Sequence, residues 1–326
     1  MKKAFKIIGI ALAAVLFLVV CAAGFVQVRG IPSYEPPKLP AQKVAITPER
    51  VVQGEKIAMS MCADCHLDKK TGGLTGRHID DLPAEFGKLY SANITQHPQM
   101  GIGQWTDEEL IGLFRTGIGR EGRYRVVMPT FVHMADEDIY SIVAFLRSDN
   151  ALVQPQAIAS HPQEPSFLAK ALTNTVMKPT PLPSKVIKVP AATDQVALGH
   201  YLVTARYLCY DCHSKDFKSN NVMEPEKSGG FLGGGNHFVT KDGQTILSRN
   251  ITPDVETGIG DWTEQQFVQA VKFGQSPSGP LRNPMPKFSI MDDAEAKAMY
   301  AYLKTVPAIK NATPEDGSAA NAVATR

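Results

Sequence analysis

Cys62-Ala63-Asp64-Cys65-His66 and Cys209-Tyr210-Asp211-Cys212-His213 are the two stretches that organise this chain. They hold four of its five cysteines, and the fifth, Cys21, lies in an apolar N-terminal segment. No cysteine is left for an ordinary disulfide framework. Working outward, each stretch opens a repeat unit. Asn93-Ile94-Thr95 returns as Asn250-Ile251-Thr252, and Gly101-Ile102-Gly103 as Gly258-Ile259-Gly260. Trp105-Thr106 returns as Trp262-Thr263, Met128-Pro129 as Met285-Pro286, and Met134 as Met291. These pairs keep one constant offset, whereas the two Cys-x-x-Cys-His stretches have a shorter one. The second unit is therefore expected to carry extra residues between His213 and Asn250, in the Gly-rich run Gly229 to Asn236.

The coarse pattern of each unit is helical. Thr47-Pro48 caps a helix running toward Cys62, and its counterpart is expected from near Thr193 toward Cys209. Thr106 and Glu109 form a capping box for a second helix, repeated by Thr263 and Gln266. The last helices are expected from Asp136 to Arg147 and from Asp292 to about Lys304. Little reads as strand. Seven prolines from Asn150 to Pro190 argue against a continuous helix there and mark an extended linker lying over the domains.

Cys-x-x-Cys-His is the attachment signature of haem c. Two thiols add across the porphyrin vinyl groups, and the following His comes under the iron. A zinc ribbon would need two further Cys or His ligands per site, and none is evident. A thioredoxin-type pair would not need the His. The expected cofactors are thus two covalently bound haem c, held by Cys62, Cys65, Cys209 and Cys212, with His66 and His213 on iron. The opposite ligand must come from downstream. In the first unit Met100, Met128, Met134, His78, His97 and His133 are candidates. Only Met128 and Met134 have methionine counterparts. Met134 and Met291 sit just before acidic helix caps, where a packing residue belongs. Met128 and Met285 sit in proline-stiffened loops and are the expected thioether ligands. Trp105 and Trp262 either wall the haem edge or simply pack, and Arg249 and Asn250 are candidate propionate donors.

Met1-Lys2-Lys3 and Lys6 precede an uncharged apolar run from Ile7 to Val26, long enough to span a bilayer. It reads as a retained anchor, with cleavage near Ala22-Ala23-Gly24 and lipidation of Cys21 as alternatives. The positive-inside rule keeps the lysines cytoplasmic and sends the rest outward. A net charge of +2 over 326 residues leaves no nucleic-acid footprint.

At these residues the sequence resembles the cytochrome c subunits of membrane-bound periplasmic alcohol, gluconate and sugar dehydrogenases. The resemblance rests on Cys62-Ala63-Asp64-Cys65-His66, Asn93-Ile94-Thr95, Gly101-Ile102-Gly103-Gln104-Trp105-Thr106 and Met128-Pro129, with their counterparts. In that family the Met before Pro is the distal ligand, which again falls on Met128 and Met285. Those subunits usually carry three haem domains, whereas two motifs stand here. The expected architecture is mainly α, with two tandem cytochrome c domains joined by a Pro-rich linker behind a transmembrane helix. Its divisions are a membrane segment at 1–30, a linker at 31–46, domain one at 47–150, the Pro-rich linker at 151–190, domain two at 191–310 and a disordered tail at 311–326. The expected role is single-electron transfer in a periplasmic respiratory chain. Its partners would be a dehydrogenase or quinol-oxidising complex and a downstream cytochrome or oxidase. A dihaem enzyme of the peroxidase or thiosulfate-oxidising type is the alternative.

Overall fold

The first helix stands apart except at its C-terminal end. In a computed structural model describing residues 2–80, 82–239 and 244–314, α1 (Lys2–Arg29) buries none of its residues. It is long and apolar enough to cross a membrane, as an anchor or as a signal sequence. The protein as a whole is mainly helical. Three two-stranded antiparallel sheets are the sheet structure among the described residues.

Two buried clusters follow the repeat. The first gathers Ile57, Leu74, Leu110, Phe114, Met134, Ile139, Ile142 and Phe145. It is built by α2 (Pro48–Met61), α3 (Ala63–His66), α4 (Asp107–Thr116) and α5 (Asp136–Leu146). The second gathers Leu198, Leu202, Leu232, Phe267, Met291, Met299 and Leu303. After α6 (Phe167–Thr175), its elements are α7 (Gln195–Tyr201), α8 (Cys209–His213), α9 (Glu264–Phe273) and α10 (Asp293–Leu303). Thr47 caps α2, and both expected capping boxes are present, at Thr106 with Glu109 and at Thr263 with Gln266.

In each unit the first and last helices cross at a glycine. A Cβ on Gly54 would lie 1.8 Å from the Ser141 carbonyl oxygen and 2.8 Å from the Phe145 side chain. On Gly199 it would lie 1.9 Å from the Ala298 carbonyl oxygen and 2.7 Å from the Tyr302 side chain. The backbones approach so closely that only hydrogen fits. This crossing fixes where the first helix ends, and the attachment stretch begins there.

The second unit departs from the first on the way to that stretch. Its opening helix starts at Gln195, behind Asp194 as cap, close to the expected start near Thr193. It then loosens into a π-turn at Leu202–Arg206. Gly54 stands eight positions before Cys62, and Gly199 stands ten before Cys209. The wider turn absorbs part of the difference. The Gly-rich run is not where most of the extra length lies. Gly76 N–H donates to the His66 carbonyl and Gly234 N–H to that of His213. Ile94 N–H donates to Leu74 and Ile251 N–H to Leu232. Leu232 and Gly234 therefore correspond to Leu74 and Gly76, so the insertion falls within 214–231, mostly ahead of the run and overlapping only its first three residues. Glycine persists in the run because a Cβ on Gly234, at φ +71°, would lie 2.5 Å from the Ser248 carbonyl oxygen.

The segments expected as linkers are docked. Tyr34 N–H donates to Gly122 at 2.8 Å and Val44 N–H to Asp107 at 2.8 Å. In 151–190, Val153 is fully buried, and Gln156 and Ile158 offer carbonyls to Asn93. Here α6 forms between the prolines, capped by Ser166. Asn174 on α6 accepts from Arg29 and donates to the Gly30 carbonyl, seating the end of α1. At the C-terminal end, Asn311 donates to the Gly233 and Gly234 carbonyls. The remainder of the expected tail, 315–326, lies outside the described residues.

A buried ionic cluster joins the halves. Arg206, in the π-turn, meets Asp138 at 2.6 and 3.1 Å and also pairs with Glu295. The Tyr201 hydroxyl donates to Asp138 and accepts from Ala135 N–H at 2.9 Å. Lys56 reaches Asp292 at 2.7 Å and Glu295 at 3.1 Å. The Arg206 and Asp138 side chains are only 4% and 3% exposed. Removing one partner would strand a charge, at a cost of about 3–5 kcal/mol.

Replacing Gly54 or Gly199 by Ala should destabilise the protein by about 1–3 kcal/mol or more through overpacking at the crossings. Denaturant unfolding of each variant against wild type measures it; a change within error at both positions would refute the reading of these contacts.

Candidate metal centres

Each attachment stretch is a helical turn continuing from a crossing helix. His66 N–H donates to the Cys62 carbonyl at 2.8 Å, and Leu67 N–H to Ala63 at 2.9 Å. In the second unit Ser214 N–H donates to Tyr210 at 3.0 Å. Helical spacing puts cysteines three apart and the adjoining His on one side of the turn. Cys62 packs against the first core and Cys209 against the second.

The imidazoles are held identically. His66 Nδ1 lies 2.7 Å from the Ala92 carbonyl oxygen, and His213 Nδ1 lies 2.7 Å from that of Arg249. A carbonyl only accepts, so Nδ1 carries the proton and Nε2 keeps a free lone pair for a metal. Burial lowers the proton affinity of both rings. At His66 the nearby Arg125 charge lowers it further, while the carbonyl bonds oppose the shift.

The carbonyls in turn are fixed by the repeated Asn-Ile-Thr block that follows them. Asn93 Oδ1 accepts from Thr95 N–H at 2.9 Å and from its hydroxyl at 2.7 Å. Asn250 Oδ1 accepts from Thr252 at 3.0 and 2.7 Å. The Asn250 amide donates to Thr257 and to the Ile309 carbonyl, so Asn250 serves this loop rather than a propionate. Arg249 is turned to the Thr313 carbonyl. Gly76, at φ +82°, completes the cradle: a Cβ there would lie 2.3 Å from the Ser91 carbonyl oxygen.

Met128 is half-buried against the first core and Met285 against the second. Their amides close matching turns, onto Arg125 at 3.2 Å and Arg282 at 3.1 Å. Met134 and Met291 are 0% and 1% exposed, inside the cores. The other early candidates are engaged elsewhere. His78 meets Asp80 at 2.7 Å, His97 accepts from Met100 N–H, and Met100 is exposed. His133 bonds the Val222 carbonyl at 2.9 Å, across the halves. Trp105 packs on the first core beneath Arg120, and Trp262 packs on the second.

The donor chemistry fits haem c better than zinc. Among the described residues no group of three or more His, Cys, Asp or Glu is placed to hold a metal ion. Burial pushes the Cys62 and Cys209 thiols up to about 12, opposite to a zinc-binding or redox-active thiolate. Beside His213, Ser214 Oγ and Asn236 Nδ2 are buried without a protein partner. Such atoms call for a polar group that the polypeptide does not supply.

Residues 49–146 match the family described as cytochrome c oxidase, cbb3-type, subunit III. The chain is similar to the cytochrome c subunits of dehydrogenases. It is 27% identical over 292 residues to the cytochrome c subunit of alcohol dehydrogenase (quinone) from Gluconobacter oxydans, covering 82% of this chain and 57% of that protein. It is 26% identical over 292 residues to the fructose dehydrogenase cytochrome subunit of Gluconobacter japonicus, covering 86% and 56%. A dihaem cytochrome c-type protein of Cereibacter sphaeroides is 27% identical over 272 residues, covering 79% and 86%. The chain thus spans little more than half the length of the first two relatives. A cytochrome c domain implies covalently bound haem c.

The carbonyl grip on each His was invisible to sequence because it is made by backbone. Its indirect signal was the Asn-Ile-Thr repeat. The crossing glycines escaped because their offset differs from that of the other pairs. Met291→Ala, and separately Met134→Ala, should cost about 2–5 kcal/mol of stability and leave the haem absorption spectrum unchanged. Thermal melts and spectra of each variant check both statements; a spectrum altered by either would show that a core methionine touches iron.

Proposed function

We propose that this chain is a dihaem c-type cytochrome that carries single electrons at the periplasmic face of a bacterial cytoplasmic membrane. Its two cytochrome c domains, 47–150 and 191–310, would be joined by the Pro-rich segment 151–190. Cys62 and Cys65, and Cys209 and Cys212, hold one haem c each through thioethers. His66 and His213 would hold the iron on one side, and Met128 and Met285 would supply the thioether ligands on the other. The observation that carries the reading is the matched 2.7 Å carbonyl bond on both imidazoles, which presents Nε2 in each unit.

Haem bound at these sites supplies a one-electron iron couple, and a His/Met ligand pair sets it at a raised potential without an open position. The residues of the chain do the rest. The Ala92 and Arg249 carbonyls orient the imidazoles. The Met128-Pro129 and Met285-Pro286 loops stiffen the opposite face. Both cores keep water from the buried side of each site, where low dielectric adjusts the potential. The relatives' names support a dehydrogenase as electron donor. A quinol-oxidising complex is the other upstream partner of the same chemistry, and a downstream cytochrome or oxidase is the acceptor. The chain itself would be an electron-transfer subunit without catalysis of its own, since two equivalent methionine loops would leave neither iron an open position.

Pyridine haemochrome assay against protein mass should give two haems per chain, retained in acidified acetone. The oxidised protein should show the near-infrared band of Met-to-iron charge transfer, and Met285→Ala should remove the share of one haem and lower its potential. One haem per chain, or an unchanged band in Met285→Ala, would refute the assignment.

With α1 retained as anchor, the protein should sediment with membranes and require detergent for release. A mature chain beginning near Ala23 in the soluble periplasmic fraction would overturn the anchor.

A further inference from the structure

Met61 and Leu208 hold matching positions, each immediately before the first cysteine of its site. Each is half-buried and packs against both hydrophobic cores. The attachment edges of the two sites therefore abut the same seam between the halves.

The backbone at Leu208 is unusual. It lies in the left-handed region, at φ 50° and ψ 39°. A leucine there costs about 1–2 kcal/mol, and nothing in its side chain compensates by hydrogen bonding. Such strain persists where the surroundings over-determine it. Here the π-turn at Leu202–Arg206 leads into Leu208, with Tyr207 N–H donating to the Leu202 carbonyl at 2.9 Å and Asp211 N–H to Leu208 at 3.0 Å. The two additional residues of the second unit are thus spent on two uncommon backbone geometries. Their products are Arg206 locked onto Asp138 and Leu208 driven into the seam. The ionic cluster holds the halves rigid around these two side chains.

We propose that Met61 and Leu208 form an apolar bridge through which one electron passes between the two sites along their Cys62 and Cys209 edges. The proposal rests on the dihaem reading above. In the step the iron of one site goes from ferrous to ferric and the iron of the other from ferric to ferrous; no bond is made or broken and no proton moves. Apolar side chains packed against both cores would fill the seam that a water-filled gap would otherwise interrupt, and would limit the solvent rearrangement that accompanies charge movement.

The test uses the full-length, detergent-solubilised dihaem protein and the variants Met61→Ala, Leu208→Gly and the pair combined. Glycine accepts the left-handed backbone, so Leu208→Gly removes the side chain while relieving strain. Pulse radiolysis delivers one electron, and transient absorbance follows its redistribution between the haems. Pulsed electron paramagnetic resonance of the oxidised protein gives the iron–iron separation. Exchange should slow several-fold in each single variant and further in the double one, with two haems, the near-infrared band and the iron–iron separation retained. Exchange at the wild-type rate in all three variants, with both haems present, would overturn the bridge alone. Slower exchange accompanied by a longer separation would make these side chains spacers and also overturn it. A wild-type protein with fewer than two haems would overturn the dihaem reading and the bridge with it.

Discussion

A backbone carbonyl 2.7 Å from a half-buried imidazole nitrogen sets the geometry of each centre. The rest of each unit can be understood as what is needed to put that carbonyl there. The crossing of first and last helices at Gly54 or Gly199 places the end of the first helix, hence the turn bearing the His. The Asn-Ile-Thr loop places the carbonyl, and its Asn side chain is consumed in holding the loop. A glycine between them, Gly76 or Gly234, lets the two pieces of backbone touch. None of these parts supplies a ligand in the reading proposed above, yet each helps decide where Nε2 points.

The parts legible in the sequence are those written in side chains at constant spacing. The attachment stretches, the capping boxes at Thr106 and Thr263, and the final helices all belong here. What stayed hidden was written in backbone. Carbonyl acceptors carry no residue signature. The crossing glycines look like ordinary helix-weakening residues until the partner helix is in place. The insertion was misplaced for a related reason. A glycine-rich run looks like spare loop, but Gly234 is there because a Cβ would strike the Ser248 carbonyl. The spare residues sit in the less conspicuous segment 214–231. For the Pro-rich linker, proline excluded a long helix and suggested a segment lying over the domains, but which contacts hold it there was hidden: Val153 is buried, and Asn93 donates to the carbonyls of Gln156 and Ile158.

The repeat is also less symmetric than its motifs. The first unit enters its attachment turn by an unbroken helix, the second through a π-turn and a strained leucine. The asymmetry is concentrated where the halves meet. Arg206 comes from the π-turn, and its partner Asp138 comes from the last helix of the first unit. A pair this deeply buried contributes little net stability against an apolar alternative but strongly disfavours any other docking angle. The second copy has thus diverged from the first where it must fit against it.

The seating of α1 has a mechanical consequence. Asn174 grips the chain at both Arg29 and Gly30, so the apolar helix leaves the body from a fixed socket. A flexible tether would let the body roam a hemisphere above its attachment point. A socketed helix acts as a mast. If α1 is retained as the anchor proposed above, the body could swivel about the helix axis while the joint restrains its height and tilt. A donor or acceptor standing in the same plane would then meet a surface presented at constant elevation, and their encounter would reduce to rotation and lateral drift.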